Sequence, residues 1–252
     1  MCLNLRFRKT LDTALSIIRR MAPPIWNQRV YYELLYQYSK ARRWLDLGCG
    51  RGTDDSMLVP VRRGMKEVIY VGVDLDLHSL KDSEETNRVC ADVASLPFLD
   101  GSFDLVTSDM VFEHLSDPVA VLQEANRVLS EGGVLIIHTA SSRHYMLMAG
   151  RLLSGILPRK TYRDLVSRYT GRKREDIFPT VYRANTARKL SAMACKAGFR
   201  AGLVGYLETP LDLPAKMQSL EEWVRKFLPL SLKSTLLAIY IKREWTRTSE
   251  GL

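Results

Sequence analysis

The chain has 252 residues, a length that one α/β domain with additions can fill. Its apolar runs fall short of the roughly 18 to 20 residues needed to cross a bilayer, and the basic N-terminal stretch lacks a small-residue cleavage site. Its four cysteines are scattered without a Cys-x-x-Cys pair, which argues against a zinc finger and a disulfide framework. We therefore expect a cytoplasmic protein with reduced cysteines.

The net charge of +9 is distributed unevenly along the chain. Residues 44–140 carry seventeen acidic and seven basic residues, whereas residues 1–43 carry two and nine, and residues 141–200 carry three and fourteen. This pattern indicates that the flanking segments, and not the acidic centre, face an anionic partner or surface. The alternative is that the lysines and arginines only solvate helix faces.

Residues 1–22 have apolar residues at helical spacing and end before two prolines, which predicts a basic amphipathic helix. We favour packing of this helix onto the domain, and the alternative is peripheral contact with an anionic membrane. A second helix is predicted at residues 30–39, just ahead of the first strand.

The acidic centre alternates strands and helices, as a parallel sheet requires. The predicted strands are 43–47, 68–73, 87–90, 103–108 and 133–139, and the predicted helices are 54–61, 77–85 and 118–129. This order is typical of a doubly wound α/β fold, in which ligands bind beyond the carboxyl ends of the strands. Functional residues should therefore lie where strands end.

The first strand ends in Asp46-Leu47-Gly48-Cys49-Gly50-Arg51-Gly52, a turn with glycine at every second position. Glycine lacks a Cβ atom, so the backbone N–H groups can approach a ligand closely. The third glycine comes one residue too early for a dinucleotide-binding motif, and Asp46 favours an amine or a sulfonium over a pyrophosphate. An ordinary strand-to-helix turn is the alternative.

The next strands also end in polar residues. Asp74 follows the second strand and could accept hydrogen bonds from two ribose hydroxyls, because a carboxylate is the bidentate acceptor that a diol needs. Asp92 follows the third strand and could accept from the amino group of an adenine. The fourth strand ends at Ser108, and the loop 109–114 should line a reacting centre.

Together these motifs resemble the class I S-adenosylmethionine-dependent methyltransferases, most closely the subgroup with the ubiquinone and menaquinone biosynthesis enzymes. The matching pieces are residues 46–52, 71–76, 92–98, 103–106 with 113–115, and 127–135. The resemblance implies a Rossmann-like, mostly parallel seven-stranded sheet with an antiparallel last strand, and S-adenosyl-L-methionine as cofactor. The predicted cofactor-binding residues are Asp46, Gly48, Cys49, Gly50, Gly52, Asp74, Leu75, Asp92, Val93 and Ser108.

A hydroxyl acceptor would benefit from a base, although positioning against an activated methyl group can alone supply roughly 7 to 11 kcal/mol. His114 is the first candidate, because imidazole titrates near neutral pH, and His144 is the second. Alternatively, His114 braces its loop and His144 is solvated at the surface. His138 lies in an apolar strand and is expected to be a hydrogen-bonded core residue.

Some quinone-pathway relatives hold a divalent metal with Glu-x-x-Glu-His in the loop after the fourth strand. Here Met110 stands at the first of these positions, and a thioether is a poor ligand for a hard cation. We therefore predict no metal site.

The rest of the chain departs from the family. Residues 141–184 are basic and carry tyrosines, and we interpret them as a helical insertion that forms a substrate lid. The predicted organisation is a basic amphipathic extension, 1–29, and a methyltransferase domain, 30–252, that contains this insertion. The later predicted elements are a helix capped by Asn185 or Thr186 and ending near 197, a strand at 199–208, a helix at 220–227 and a strand at 235–242.

The acceptor class follows from what the sequence contains and lacks. An Asn-Pro-Pro-Tyr signature, a Pro-Cys nucleophile site and a recognisable RNA-binding module are absent, so a small or lipid-linked, acidic acceptor is favoured over nucleic acid. Methylation on oxygen is the first prediction, and methylation on carbon is the second. The alternatives are an RNA methyltransferase and a non-catalytic cofactor-binding protein that acts in assembly or regulation.

Overall fold

The computed structural model describes residues 27–37, 42–51, 68–82, 87–145, 148, 179–199, 202–207, 218–219, 223–224, 226–232 and 234–242. The predicted helices at 1–22 and 54–61 and most of the predicted insertion lie outside the described residues. The division into 1–29 and 30–252 therefore stays a prediction.

One seven-stranded sheet forms the centre of the molecule, with the strand order β3-β2-β1-β4-β5-β7-β6. Strands β1 to β5 pair in parallel, whereas β7 pairs antiparallel with both β5 and β6. The predicted mostly parallel sheet with an antiparallel last strand is confirmed. The strands are β1 (Arg43–Leu47), β2 (Ile69–Asp74), β3 (Arg88–Cys90), β4 (Phe103–Asp109), β5 (Leu129–Ala140), β6 (Leu203–Leu207) and β7 (Thr235–Ile241).

Two of the described helices begin where the sequence provides a cap. The side chain of Asp117 accepts hydrogen bonds from the first turn of α3, and the side chain of Thr186 does the same for α4, so Thr186 is the cap of that helix. The helices are α1 (Asn27–Gln37), α2 (Leu77–Asp82), α3 (Pro118–Val128) and α4 (Ala187–Lys196), and a short 3-10 helix covers Leu230–Leu232. Helix α1 begins three residues before its predicted start.

Strand β5 begins at Leu129, four residues earlier than predicted. It first pairs Leu129 with Phe103, and the register then shifts so that Val134 pairs with Leu105. Gly132 has a φ of 71°, which allows the backbone to take up the extra residues as a bulge. The sequence pattern missed the bulge because the glycines interrupt the apolar run.

The core has two layers because successive side chains of a strand point to opposite faces of the sheet. Leu45 and Leu47 of β1 pack on the face covered by α3 and α4, whereas Trp44 packs on the face covered by α1. Helix α1 contributes its apolar stripe to the second layer. Within the described part of the chain, no helix has the length and apolarity to span a membrane.

Candidate functional site

The loop after β1 is tied to the end of β2 by backbone hydrogen bonds. The N–H groups of Gly48 and Cys49 donate to the carbonyl of Val73 at 2.7 and 3.0 Å. The N–H of Gly50 donates to Oδ2 of Asp74 at 2.8 Å, and the N–H of Asp76 donates to Oδ1 of the same carboxylate at 2.9 Å. Asp74 therefore joins the two loops at the carboxyl edge of the sheet.

Two glycines of the motif serve different purposes. Gly48 has a φ of +71°, and a Cβ atom there would lie 2.3 Å from Cγ2 of Val111, so the loop after β4 occupies that space. Gly50 has a φ of +56°, and a Cβ atom there would meet no atom of the described residues within 4 Å. No described residue therefore fills the space beside Gly50, as the approach of a ligand requires. Gly52, the third glycine, lies outside the described residues.

The carboxylate of Asp46 is fixed by neighbouring strands. The hydroxyl of Tyr70 donates to its Oδ2 at 2.9 Å, and the hydroxyl of Thr107 donates to its Oδ1 at 2.7 Å. The Thr107 hydroxyl in turn accepts from the indole N–H of Trp44 at 2.7 Å. Asp46 thus keeps a defined orientation next to the glycine loop, with β2 and β4 both holding it.

The remaining predicted cofactor residues line the ends of β2, β3 and β4. Leu75 directly follows β2 and is 71% exposed, which is unusual for a leucine beside a buried strand. Asp92 lies after β3, exposed, and its Oδ1 accepts the N–H of Ala94 at 2.9 Å, while Val93 is half-buried. Ser108 is buried, and its Oγ has no hydrogen-bond partner within the described residues. Its contact with a cofactor stays a prediction.

On the other side of the site, the loop after β4 carries His114. Its Nδ1 lies 2.8 Å from the carbonyl oxygen of Pro179. Because a carbonyl oxygen only accepts, Nδ1 must carry the proton, which places the basic lone pair of the neutral ring on Nε2. Met110 in the same loop has a φ of 53°, a left-handed conformation that a non-glycine residue holds only when its surroundings enforce it.

His144 is buried rather than solvated, so that alternative is wrong. The residue is 9% exposed and its ring packs edge-on against Tyr145 at a centroid distance of 4.6 Å. Burial lowers the pKa of His144 to about 4, because the charged ring would lose its hydration. The side chain is therefore neutral at neutral pH.

Sequence reasoning missed a polar cluster beneath α1. Nδ1 of His138 lies 2.6 Å from Oδ1 of Asp109, so His138 is the hydrogen-bonded core residue that was predicted, but its partner was not foreseen. Tyr31 of α1 stacks on the imidazole at 5.5 Å, and burial, followed by the charges of Asp109 and Asp46, raises the pKa of Tyr31. The pairing of Asp109 with His138 in the β4–β5 register explains the contact, and that register cannot be read from the sequence.

No group of three His, Cys, Asp or Glu side chains that could hold a metal ion occurs in the described ranges.

Comparison with known proteins assigns the class. Residues 45–137 match a family described as a methyltransferase domain. A malonyl-[acyl-carrier protein] O-methyltransferase of Legionella pneumophila is 32% identical over 45% of this chain and 41% of its own length. A demethylmenaquinone methyltransferase of Staphylococcus carnosus is 33% identical over 50% of this chain and 53% of its own length. A crystal structure of a SAM-dependent methyltransferase from Archaeoglobus fulgidus shares the fold, with a TM-score of 0.51 and 19% identity over 86% of this chain and 95% of that one.

The chain spans about half or less of the length of these curated relatives. Its residues 45–137 form a class I S-adenosylmethionine-dependent methyltransferase domain. The predicted class and cofactor are thereby confirmed for this domain, and the activity of the whole protein stays a proposal.

Replacing Asp74 by alanine should weaken S-adenosylmethionine binding by about 1 to 3 kcal/mol, because it removes the predicted ribose acceptor and the anchor of the Gly50 N–H. Isothermal titration calorimetry measures the affinity. The matched control is Asp104→Ala, which removes a carboxylate paired with Arg43 at the start of β4, the opposite edge of the sheet. Equal affinities of the Asp74→Ala variant and the wild type would contradict the assignment.

The lowered pKa of His144 predicts a loss of stability in acid. The folded protein holds this ring with a pKa of about 4, below the ordinary value of 6.5, so the unfolded chain binds the proton more tightly. The free energy of unfolding should fall between about pH 6.5 and pH 4, by up to about 3 kcal/mol from this group.

Urea denaturation at about pH 7 and about pH 4.5 checks this expectation. His144→Phe keeps a ring against Tyr145 but cannot titrate, so its pH dependence should be shallower than that of the wild type. His78→Phe, at an exposed histidine, is the control and should keep the wild-type slope. Equal slopes for wild type and His144→Phe would show that His144 does not make this contribution.

Proposed function

We propose that this protein transfers the methyl group of S-adenosylmethionine to a hydroxyl of a small or lipid-linked, acidic acceptor. The observation that carries the proposal is the Asp74 carboxylate, which accepts the N–H of Gly50 at 2.8 Å beside a space that no described residue fills. A carboxylate that accepts two backbone N–H groups next to such a space is an arrangement that a ribose-bearing ligand can use.

The residues at this edge fit S-adenosylmethionine. Each oxygen of the Asp74 carboxylate accepts one backbone N–H and retains capacity for a ribose hydroxyl. The exposed side chain of Leu75 offers an apolar surface for a base, and Asp92 follows the neighbouring strand. Asp46 holds a negative charge close to the glycine loop, suited to an amino group. The bound cofactor supplies a methyl group already activated by the positive sulfur.

The protein then has to orient the acceptor hydroxyl and take its proton. We assign the proton to His114, because the contact of its Nδ1 with Pro179 leaves Nε2 as the basic nitrogen. His144 is the weaker candidate, since a pKa of about 4 makes it a poor proton acceptor at neutral pH. Met110 lies between the end of β4 and His114 and has a positive φ. This strained conformation indicates that the surrounding structure fixes the shape of the loop.

One observation supports an acidic acceptor, and another supports an acceptor attached to a carrier or a lipid. Residues 141–200 carry fourteen basic and three acidic residues, and this segment follows the strand end next to the site. Two relatives are named for malonyl-[acyl-carrier protein] and for demethylmenaquinone, the first a carrier-bound acid and the second a lipid quinone. Both names agree with an acceptor attached to a carrier or a lipid tail.

Transfer of a radioactive methyl group from S-adenosylmethionine into fractions of a cell extract tests the proposal. We expect label in a lipid or small-molecule fraction that mild base does not release, because methylation of a hydroxyl gives an ether. Release by mild base would show a methyl ester and would identify a carboxylate, instead of a hydroxyl, as the acceptor group. Label in RNA that declines steeply with salt would instead identify an RNA methyltransferase. Cofactor binding without label in any fraction would identify a non-catalytic binding protein.

Replacing His114 by alanine should lower turnover about a hundredfold and leave the affinity for S-adenosylmethionine nearly unchanged. His114→Asn is the matched variant, because its amide can still donate to the Pro179 carbonyl but offers no basic nitrogen. Steady-state kinetics on the labelled fraction should show both variants impaired. Wild-type turnover in His114→Asn would assign His114 to bracing the loop.

A further inference from the structure

A buried hydrogen-bond chain links the loop after β4, the end of β5 and the segment that precedes α4. The hydroxyl of Thr139 donates to Oε2 of Glu113 at 2.6 Å. The side-chain amide of Asn185 donates to the Thr139 hydroxyl at 2.8 Å. Three residues far apart in the sequence, one from each segment, therefore form a single chain of contacts.

The Asn185 end of this hydrogen-bond network also makes hydrogen bonds that involve the backbone. The amide of Asn185 also donates to the carbonyl of Ala140 at 2.8 Å, and the carbonyl of Asn185 accepts from both the N–H and the hydroxyl of Ser142 at 2.9 Å. Residues 142 and 185 are thus held together at the points where the chain leaves the end of β5 and returns towards α4.

The same loop is held by its backbone next to His114. The carbonyl of Glu113 accepts the N–H groups of Val181 and Tyr182 at 2.8 and 3.1 Å, and Tyr182 has a φ of 51°. The ring of His114 donates to the carbonyl of Pro179. The backbone of residues 179–182 therefore runs against both Glu113 and His114.

The burial of these polar groups is costly, which indicates a role beyond holding the fold. Thr139 and Asn185 are fully buried and Glu113 is 3% exposed. Oδ1 of Asn185 has no hydrogen-bond partner among the residues that the structure describes. Apolar side chains would fill the same space without this desolvation, whereas a connected polar network fixes one geometry.

We propose that Glu113, Thr139 and Asn185 are positioning residues that hold His114 against the methyl acceptor. This inference rests on the proposed function, because it gives the network a task only if His114 takes a proton. None of the three residues needs to contact the acceptor. They act by fixing the backbone of the loop after β4 against residues 179–182, and a displacement of about 1 Å at a reacting group can cost a hundredfold in rate.

The test compares two nearly isosteric changes at one position. Thr139→Val removes the hydroxyl that joins Glu113 to Asn185, whereas Thr139→Ser keeps it. Thr139→Val should lower kcat about tenfold or more, with KM for S-adenosylmethionine unchanged. Thr139→Ser should retain most of the wild-type kcat. Thr235→Val, at a buried threonine on the adjacent strand β7, is the matched control and should keep the wild-type rate.

A double-variant cycle asks whether the effect passes through His114. In a His114→Ala background, adding Thr139→Val should lower kcat little further, because the residue being positioned is already gone. If the loss of kcat in the double variant equals the product of the two single losses, the proposal is overturned and Thr139 is a purely structural residue. Should Thr139→Val fail to fold, Asn185→Ala enters the same cycle, since it removes both donations of the side-chain amide.

Amide hydrogen exchange separates this inference from the proposed function. The Val181 and Tyr182 amides, which donate to Glu113, should exchange faster in Thr139→Val whatever the substrate is. Unchanged exchange together with unchanged kcat would overturn the positioning role while methyl transfer by the wild type stands. Cofactor binding with no methyl transfer by the wild type would refute the proposed function itself, and the positioning role with it.

Discussion

The site depends on one carboxylate that accepts backbone N–H groups from two different loops. Asp74 holds Gly50 and Asp76 at 2.8 and 2.9 Å, so the turn after β1 and the turn after β2 share an anchor. A charged acceptor makes stronger hydrogen bonds than a neutral one. Here both N–H groups belong to turns and donate to the Asp74 carboxylate instead of to a backbone carbonyl. The same anchor fixes the backbone of Gly50, beside which no described residue lies within 4 Å of a Cβ position.

A second constraint is the polar layer beneath α1. An apolar helix–sheet contact would avoid the desolvation of polar groups. The sheet nevertheless presents Asp46 and Asp109 on this face, with Thr107 between them. Tyr31, buried and stacked on His138, covers these groups, and its pKa is raised first by burial and then by the charges of Asp109 and Asp46. Two negative charges held so near the strand ends favour a ligand with positive charge, as the class of the domain requires.

The placement of Asp46, Gly50 and Asp74 at one edge of the sheet could be predicted because its signals are local. A carboxylate or a glycine directly after an apolar run marks a strand end, and parallel strands bring their ends to one edge. That these residues bind the cofactor stays a prediction. The β5 bulge and the pairing of Asp109 with His138 could not be predicted, since both depend on strand register. The burial of His144 was not predicted either, since its position just after β5 left both a catalytic and a surface role open.

The residues proposed to hold the acceptor and those around the glycine loop are both joined by long-range contacts. Thr139 to Glu113, Asn185 to Thr139 and His114 to Pro179 lie 26 to 65 positions apart, and the hydrogen bonds of Asp74 to Gly50 and of Thr107 to Asp46 span 24 and 61 positions. The two sets differ in their sequence signals, because short motifs mark the glycine turn and the carboxylate after β2, whereas no short motif marks Thr139 or Asn185. The hydrogen bonds that anchor Asp74 and those that anchor Glu113 share no residue, so the residues proposed to position the acceptor can vary independently of those proposed to hold the cofactor.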